Sequence, residues 1–189
     1  MISHAAAETA ILTVPGDYDT VDLAVRVAKD SLVSKVIIYA PDQTWDIGGK
    51  SIQWYEQSSP ELVILGDGVD HPVLIDGKGG ELLWETGSVT LQYVDVQDVR
   101  ILLYGNAKFT TLANVDFLHT PNGTFPYPRL YMEGSAVCDL TLNAGGLSQL
   151  VMNDIAELRS ATNLKIYSSD VLIKDNAVVV VAGDVMYDE

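Results

Sequence analysis

The chain is poor in residues that crosslink, ligate metals or carry positive charge. One cysteine, Cys138, stands among 189 residues. It has no partner for an internal disulfide, and no pair of cysteines exists to build a zinc site. Its setting in "SAVCDLTL" reads as a small core residue. Three histidines, His4, His71 and His119, are scattered, with no serine at a recognisable triad spacing. Eleven Lys and Arg oppose 26 Asp and Glu, for a formal net charge of −15. That field repels phosphate backbones and anionic bilayers, so neither nucleic acid nor a membrane is an expected partner. No apolar run reaches the roughly 18 residues of a membrane span. The N-terminal "MISHAAAETAILTVPG" has no basic region and no long apolar stretch, so no signal peptide is expected.

What is present is a rhythm. Nearly half of the residues, 48%, are hydrophobic, which excludes a disordered chain. Apolar pairs separated by one residue mark strand faces. One series runs Ile52/Trp54, Val73/Ile75, Val94/Val96, Val115/Phe117, Leu140/Leu142, Leu164/Ile166 and Val185/Tyr187. A second runs Val63/Leu65, Leu82/Trp84, Ile101/Leu103, Leu130/Met132, Leu150/Met152 and Val171/Ile173. A third, blurred near Leu158, has Val89/Leu91, Thr110/Leu112, Ala136/Cys138 and Val178/Val180. The steps are close to 20 residues, with one of 29 between Ile101 and Leu130. Three short strands per turn of this length predict an all-β parallel β-solenoid of about six to seven turns. Gly66, Gly87, Gly105, Gly134, Asp154 and Asp175-Asn176 follow the second series. They are the types that accept the left-handed backbone of a sharp corner.

One helix is expected. In residues 20–34, Thr20 or Asp22 can cap the start, and Val21, Ala24, Val25, Ala28 and Leu32 form an apolar stripe. Such a helix can cover the open end of a solenoid. The organisation read from these signals is an N-terminal arm and first strand over 1–19, then one domain over 20–189.

The segments "TVPGDYDTVDLAVRVAKDSLVSKVIIYAP" and "LVILGDGVDHPVLIDGKGGELLWETGSVTLQYVDV" resemble right-handed parallel β-helix proteins of the pectate-lyase-like class. In that class an amphipathic helix precedes a strand ending in proline, and G-x-G and I-D-G turns follow. The resemblance covers Thr13 to Val96 in motif and the rest by period. It implies the right-handed fold. It leaves function open, because the class hosts lyases, hydrolases, esterases, adhesins and phage proteins.

Candidate chemistry lies on outward positions. Asp95 and Asp116 are expected on adjacent turns, about 4.8 Å apart. Two carboxylates that close suit acid–base catalysis. The resemblance points to polygalacturonases, which carry aspartates on such a ladder. Asn114-Val115-Asp116 only echoes their Asn-Thr-Asp, and their Asp-Asp, Gly-His-Gly and Arg-Ile-Lys motifs are absent. Asp67, Asp70 and Asp76 have the spacing of solenoid corners, so no metal and no cofactor are expected. Trp54 and Trp84 are expected in the core, and Trp45 is free to stack on a sugar. On the second series the outward residues are Ile64, Leu83, Leu102, Tyr131, Val151 and Leu172. An apolar stripe of that length calls for a cover. A second copy of the chain is the favoured one, and the chain's own N-terminal arm or the 118–129 loop is the alternative. The resemblance to phage spikes and adhesins implies a side-by-side homotrimer.

The long step holds an insertion at 118–129, "LHTPNGTFPYPR". Pro121, Pro126 and Pro128 stiffen it. Phe125, Tyr127 and Arg129 are types enriched at binding hot spots, so this is the expected partner-binding loop. A fold back onto the wall that hides these aromatics is the alternative. With no complete catalytic constellation, the expected function is structural or adhesive. By resemblance it is a virion component, a capsid decoration protein or spike-like module, with a capsid or tail protein as partner. The alternatives are an acidic-polysaccharide lyase or hydrolase using Asp95 and Asp116, and a carbohydrate-binding module without turnover.

Overall fold

The protein is described by a computed structural model, which defines residues 8–54, 60–123, 125–167 and 170–187. The fold is all-β with parallel sheets and one helix among the described residues. Each of the paired strands runs parallel to its neighbour. A parallel sheet with short connections requires the chain to return in the same direction each time.

The first sheet has eight strands: Thr9–Thr13, Lys35–Tyr39, Glu61–Leu65, Ser88–Gln92, Lys108–Thr111, Val137–Leu140, Glu157–Ser160 and Val178–Val181. Its inner ladder runs Val36, Leu62, Val89, Phe109, Cys138, Leu158, Val179. The second sheet is organised by two long strands, Val73–Trp84 and Val94–Leu103. They pair over both halves, with a register break between Asp76 and Gly80. Their first halves pair with Thr44–Asp46 and Val115–Leu118, and the latter with Leu142–Gly145. Their second halves continue through Ser51–Trp54, Arg129–Met132, Gln149–Met152 and Val171–Ile173. Leu164–Ile166 and Val185–Tyr187 form a separate pair.

The strands lie close to where the alternation places them, but three ladders are assigned differently. Trp54 pairs with Trp84, their rings stacked at 6.2 Å, so Ile52/Trp54 belongs to the second series. Trp45 takes its place opposite Ile75 and is fully buried. Val63/Leu65 belongs to the first sheet, where Ile64 points inward between Ile38 and Leu91. The run Leu62–Leu65 is apolar on both faces, so alternation alone could not choose a side. The third series holds at Val89/Leu91 and Ala136/Cys138 and slips by one at its other two members: Phe109/Thr111 and Val179/Val181 face in, while Leu112, Val178 and Val180 are exposed. A one-residue slip turns every side chain of a strand to the other face.

The helix spans Val21–Lys29 and is shorter than the apolar stripe. Thr20 caps it, its hydroxyl accepting from the Leu23 N–H at 3.2 Å. Val21, Ala24, Val25 and Ala28 join the core. Leu32 is fully exposed. The chain must extend by Ser34, whose N–H donates to the Glu8 carbonyl, so that Lys35 can pair with Thr9. Residues 1–7 of the expected arm lie outside the described residues. The corners follow their composition: Gly87, Gly105, Gly134, Asp154 and Asp175 all have positive φ. Asp154 accepts from the Gly134 N–H at 3.0 Å, and Asp175 from the Asp154 N–H at 3.3 Å. These acids therefore tie each corner to the one before it.

Candidate functional site

Asp95 and Asp116 are direct partners on neighbouring strands. Leu74 flanks the pair on one side and Ala144 on the other. Burial first, and the Asp116 charge second, raise the Asp95 carboxyl above its ordinary range. Asp116 Oδ1 is buried with no hydrogen-bond partner. Arg100 pairs with Glu81, and no ion pair of Lys165 is found among the described residues. Among the described residues no ion pair reaches Asp95 or Asp116. Among the described residues no group of three His, Cys, Asp or Glu could hold a metal ion. Asp67 instead holds the Tyr39 hydroxyl, raising its pKa, and His71 lies 2.8 Å from Asp42.

The apolar stripe is present from Leu83 onward. Leu83, Leu102, Tyr131, Val151 and Leu172 occupy one column of successive strands. Gln53 precedes them, in the place expected for Ile64, which is buried on the other sheet. The chain covers part of the stripe itself. The Tyr104 and Tyr131 rings lie 5.5 Å apart, and Leu102 is only 7% exposed. Tyr131 donates to Glu133 at 2.8 Å and accepts from Asn153 at 3.1 Å. Leu172 is 43% exposed.

The inserted loop folds back onto the wall. The Thr120 N–H donates to the Pro126 carbonyl at 2.7 Å, and the Phe125 N–H to Asp98 Oδ1 at 3.1 Å. Ser148 Oγ donates to the Tyr127 carbonyl at 2.6 Å. The Tyr127 ring stacks on Tyr167 at 4.0 Å with an interplanar angle of 10°, and His119 meets its edge at 5.2 Å. Phe125, Tyr127 and Arg129 are accordingly half-buried. Arg129 places its guanidinium carbon 3.3 Å from the centre of the Phe125 ring. Its Nε and Nη2 are buried without an acceptor. Burial, then the neighbouring Arg100, lower its pKa to about 10.

A cleft of about 240 Å³ opens beside this guanidinium. Phe125 and Pro126 of the loop form one side, and Ser148, Gln149, Tyr167 and Asp170 the other. The sequence reading found the loop but missed Tyr167, Gln149 and Asp170. Gln149 follows its column one step before the Leu150/Met152 pair, so period alone could have placed it. Tyr167 carries no such signal, because the loop chooses it by folding over. Trp45, left free by the sequence to stack on a sugar, is core, and its indole N–H is buried.

No helix among the described residues is long and apolar enough to cross a membrane. Comparison with protein-family models, with curated proteins and with solved structures finds no match to the chain.

Proposed function

We propose that the chain is a non-enzymatic right-handed parallel β-helix, a structural or adhesive module that assembles side by side as a homotrimer. The coil is supported by the order in which the strands are visited. Ser88–Gln92 of the first sheet leads to both halves of Val94–Leu103 in the second, and then to Lys108–Thr111 back in the first. The next strands repeat that order. The helix, packed against Lys35–Tyr39 and Thr44–Asp46, caps one end of the coil.

The observation that carries the assembly is the single column Leu83, Leu102, Tyr131, Val151 and Leu172. Large apolar side chains repeated on one outward column bury continuously only against another surface. A cyclic arrangement of identical copies closes such an interface. The placement of this module in a virion rests on the resemblance of its motifs. Val151→Asp tests the assembly, because Val151 is only partly covered within the chain, whereas Leu102 is already buried by it. The variant should keep the circular dichroism spectrum and lose the oligomer in light scattering. An oligomer that survives it would show that the column is not the interface.

The second reading is an acidic-polysaccharide lyase or hydrolase, favoured by the adjacency of Asp95 and Asp116 and the raised carboxyl of Asp95. Incubation with polygalacturonate and other acidic polysaccharides separates the two. No cleavage is expected. Cleavage by the wild type that disappears in the Asp95→Asn/Asp116→Asn double variant would replace the structural reading.

A further inference from the structure

Three strands leave one edge each without a neighbour at the same place. Val171–Ile173, Val178–Val181 and Val185–Tyr187 each stand at the end of their sheet, and among the described residues no strand pairs with their far edges. Near the first strands the helix Val21–Lys29 buries its apolar face. Here, instead, the three edges surround an apolar cleft of about 370 Å³, floored by Leu164 and Ile166. Ile173 is 45% exposed, Val185 41% and Tyr187 63%, whereas their ladder neighbours Met152, Leu164 and Ile166 are buried. Val178 and Val180, on the outer face, are exposed as well. An uncovered apolar edge is a template for pairing with another chain.

The bonds behind these strands fix which backbone groups point outward from the stack. The Val178 N–H donates to Ala156 at 2.9 Å, Ala182 to Ser160 at 2.8 Å and Lys174 to Met152 at 2.9 Å, and the Asp184 carbonyl accepts from Leu164 at 2.9 Å. Successive residues of a strand direct their polar groups to opposite sides. Val171, Ile173, Val179, Val181, Val185 and Tyr187 therefore offer their N–H and C=O to an incoming strand. The sequence of this edge answers its own reverse about Val179: Val178 meets Val180, Ile173 meets Val185, Leu172 meets Met186, Val171 meets Tyr187, and Lys174 meets Asp184. A second copy, turned over by a two-fold axis at Val179, sets apolar residues against apolar ones and forms the Lys174–Asp184 pair twice. Opposite residues of an antiparallel pair share a face, and they do so here: Ile173 and Val185 are inward, Leu172 and Met186 outward. Sliding the copies to the next register that keeps the faces sets Lys174 against Met186 or Ala182 and loses the charge match.

We propose that this end of the molecule binds a second copy of the same chain, end to end, by antiparallel pairing about Val179. The face is isologous, and a cyclic dimer closes it. Neither Lys174 nor Asp184 is in an ion pair among the described residues, and both are exposed, so both are available across the two-fold. The contact spans residues 171–187, fewer than the roughly 20–30 residues a side of a stable interface, and the net charge of −15 opposes it. Its dissociation constant is therefore on the order of 0.1 mM, and protein at micromolar concentration stays unpaired at this end. The pairing goes beyond side-by-side assembly through the apolar column and does not rest on it.

The test is sedimentation equilibrium between about 10 μM and 1 mM, on the wild type and on Val151→Asp. In both, the mass should double over this range. The doubling starts from a lateral oligomer where the column assembles and from the monomer where it does not, so the two readings fail separately. Lys174→Asp sets two acids against each other at both symmetric contacts and should weaken the doubling by about tenfold. Asp184→Lys should weaken it similarly, although it lowers the repulsion between copies. The double variant Lys174→Asp/Asp184→Lys should return to within about threefold of the wild type. Lys50→Asp makes the same change of net charge away from this end and should leave the doubling unchanged. All these positions are exposed, so the fold is expected to hold, and circular dichroism checks it. A mass that does not rise up to 1 mM would overturn the proposal, leaving the edge to another partner. So would a double variant no tighter than the single ones, or a loss in Lys50→Asp equal to that in Lys174→Asp.

Discussion

Asp95 holds its proton more tightly in the folded protein than in the unfolded chain, because burial and the Asp116 charge disfavour its ionised form. A raised carboxyl costs stability wherever it is ionised in the native state. The cost is full above the raised value and fades as pH falls toward the ordinary 3.8. Asp95→Asn removes it. The variant should melt about 1–3 °C higher than wild type at neutral pH, and the gain should shrink as the pH approaches 4. Scanning calorimetry at both pH values checks this; an equal gain at both would show that the carboxyl is not the cause. Gly145 gives the opposite expectation. Its φ is +85°, and a Cβ there would lie 1.7 Å from the Phe117 carbonyl oxygen. Backbone cannot yield as a side-chain tip can, so Gly145→Ala should cost about 3 kcal/mol or more in urea unfolding. The corner residues were legible because their types declare their backbone. Gly87, Gly105, Gly134, Asp154 and Asp175 all take the left-handed conformation expected of them. Gly66 does not; there the positive φ falls on Gly68.

At the scale of the element, most strand positions follow from the two-residue alternation, and the insertion at 118–129 follows from a single long step. Faces are harder. Ile64 lies in a strand apolar on both sides, and only its neighbours Ile38 and Leu91 reveal that it points in. The helix ends at Lys29 because the pairing of Lys35 with Thr9 demands extended chain, a tertiary requirement that local propensity does not contain. The loop illustrates the same limit. Its aromatics were visible, but its hold on the wall depends on Tyr167, which nothing local connects to Tyr127. The stacked pair should behave as one unit. Tyr127→Ala and Tyr167→Ala should each destabilise the protein by about 1–3 kcal/mol. In a double-mutant cycle their effects should fall short of additivity by about 0.5–1.5 kcal/mol. Urea denaturation of the four proteins measures this, and strict additivity would mean that the stack contributes nothing to holding the loop.

The whole molecule combines an apolar interior with a strongly negative net charge. Three tryptophans lie in the core, each 1% exposed. The net charge of −15 opposes close approach of identical copies, and this opposition weakens with salt. Apolar contact through the column from Leu83 to Leu172 must outweigh it. The proposed assembly should therefore persist at physiological ionic strength and tighten as salt is added, the reverse of an interface held by ion pairs. The most direct test is the mass of the wild-type protein in solution, measured by light scattering at micromolar concentration. The protomer is 20.5 kDa. A homotrimer scatters as three protomers; a mass of 20.5 kDa at that concentration would contradict side-by-side assembly and mean that the column is covered within a single chain.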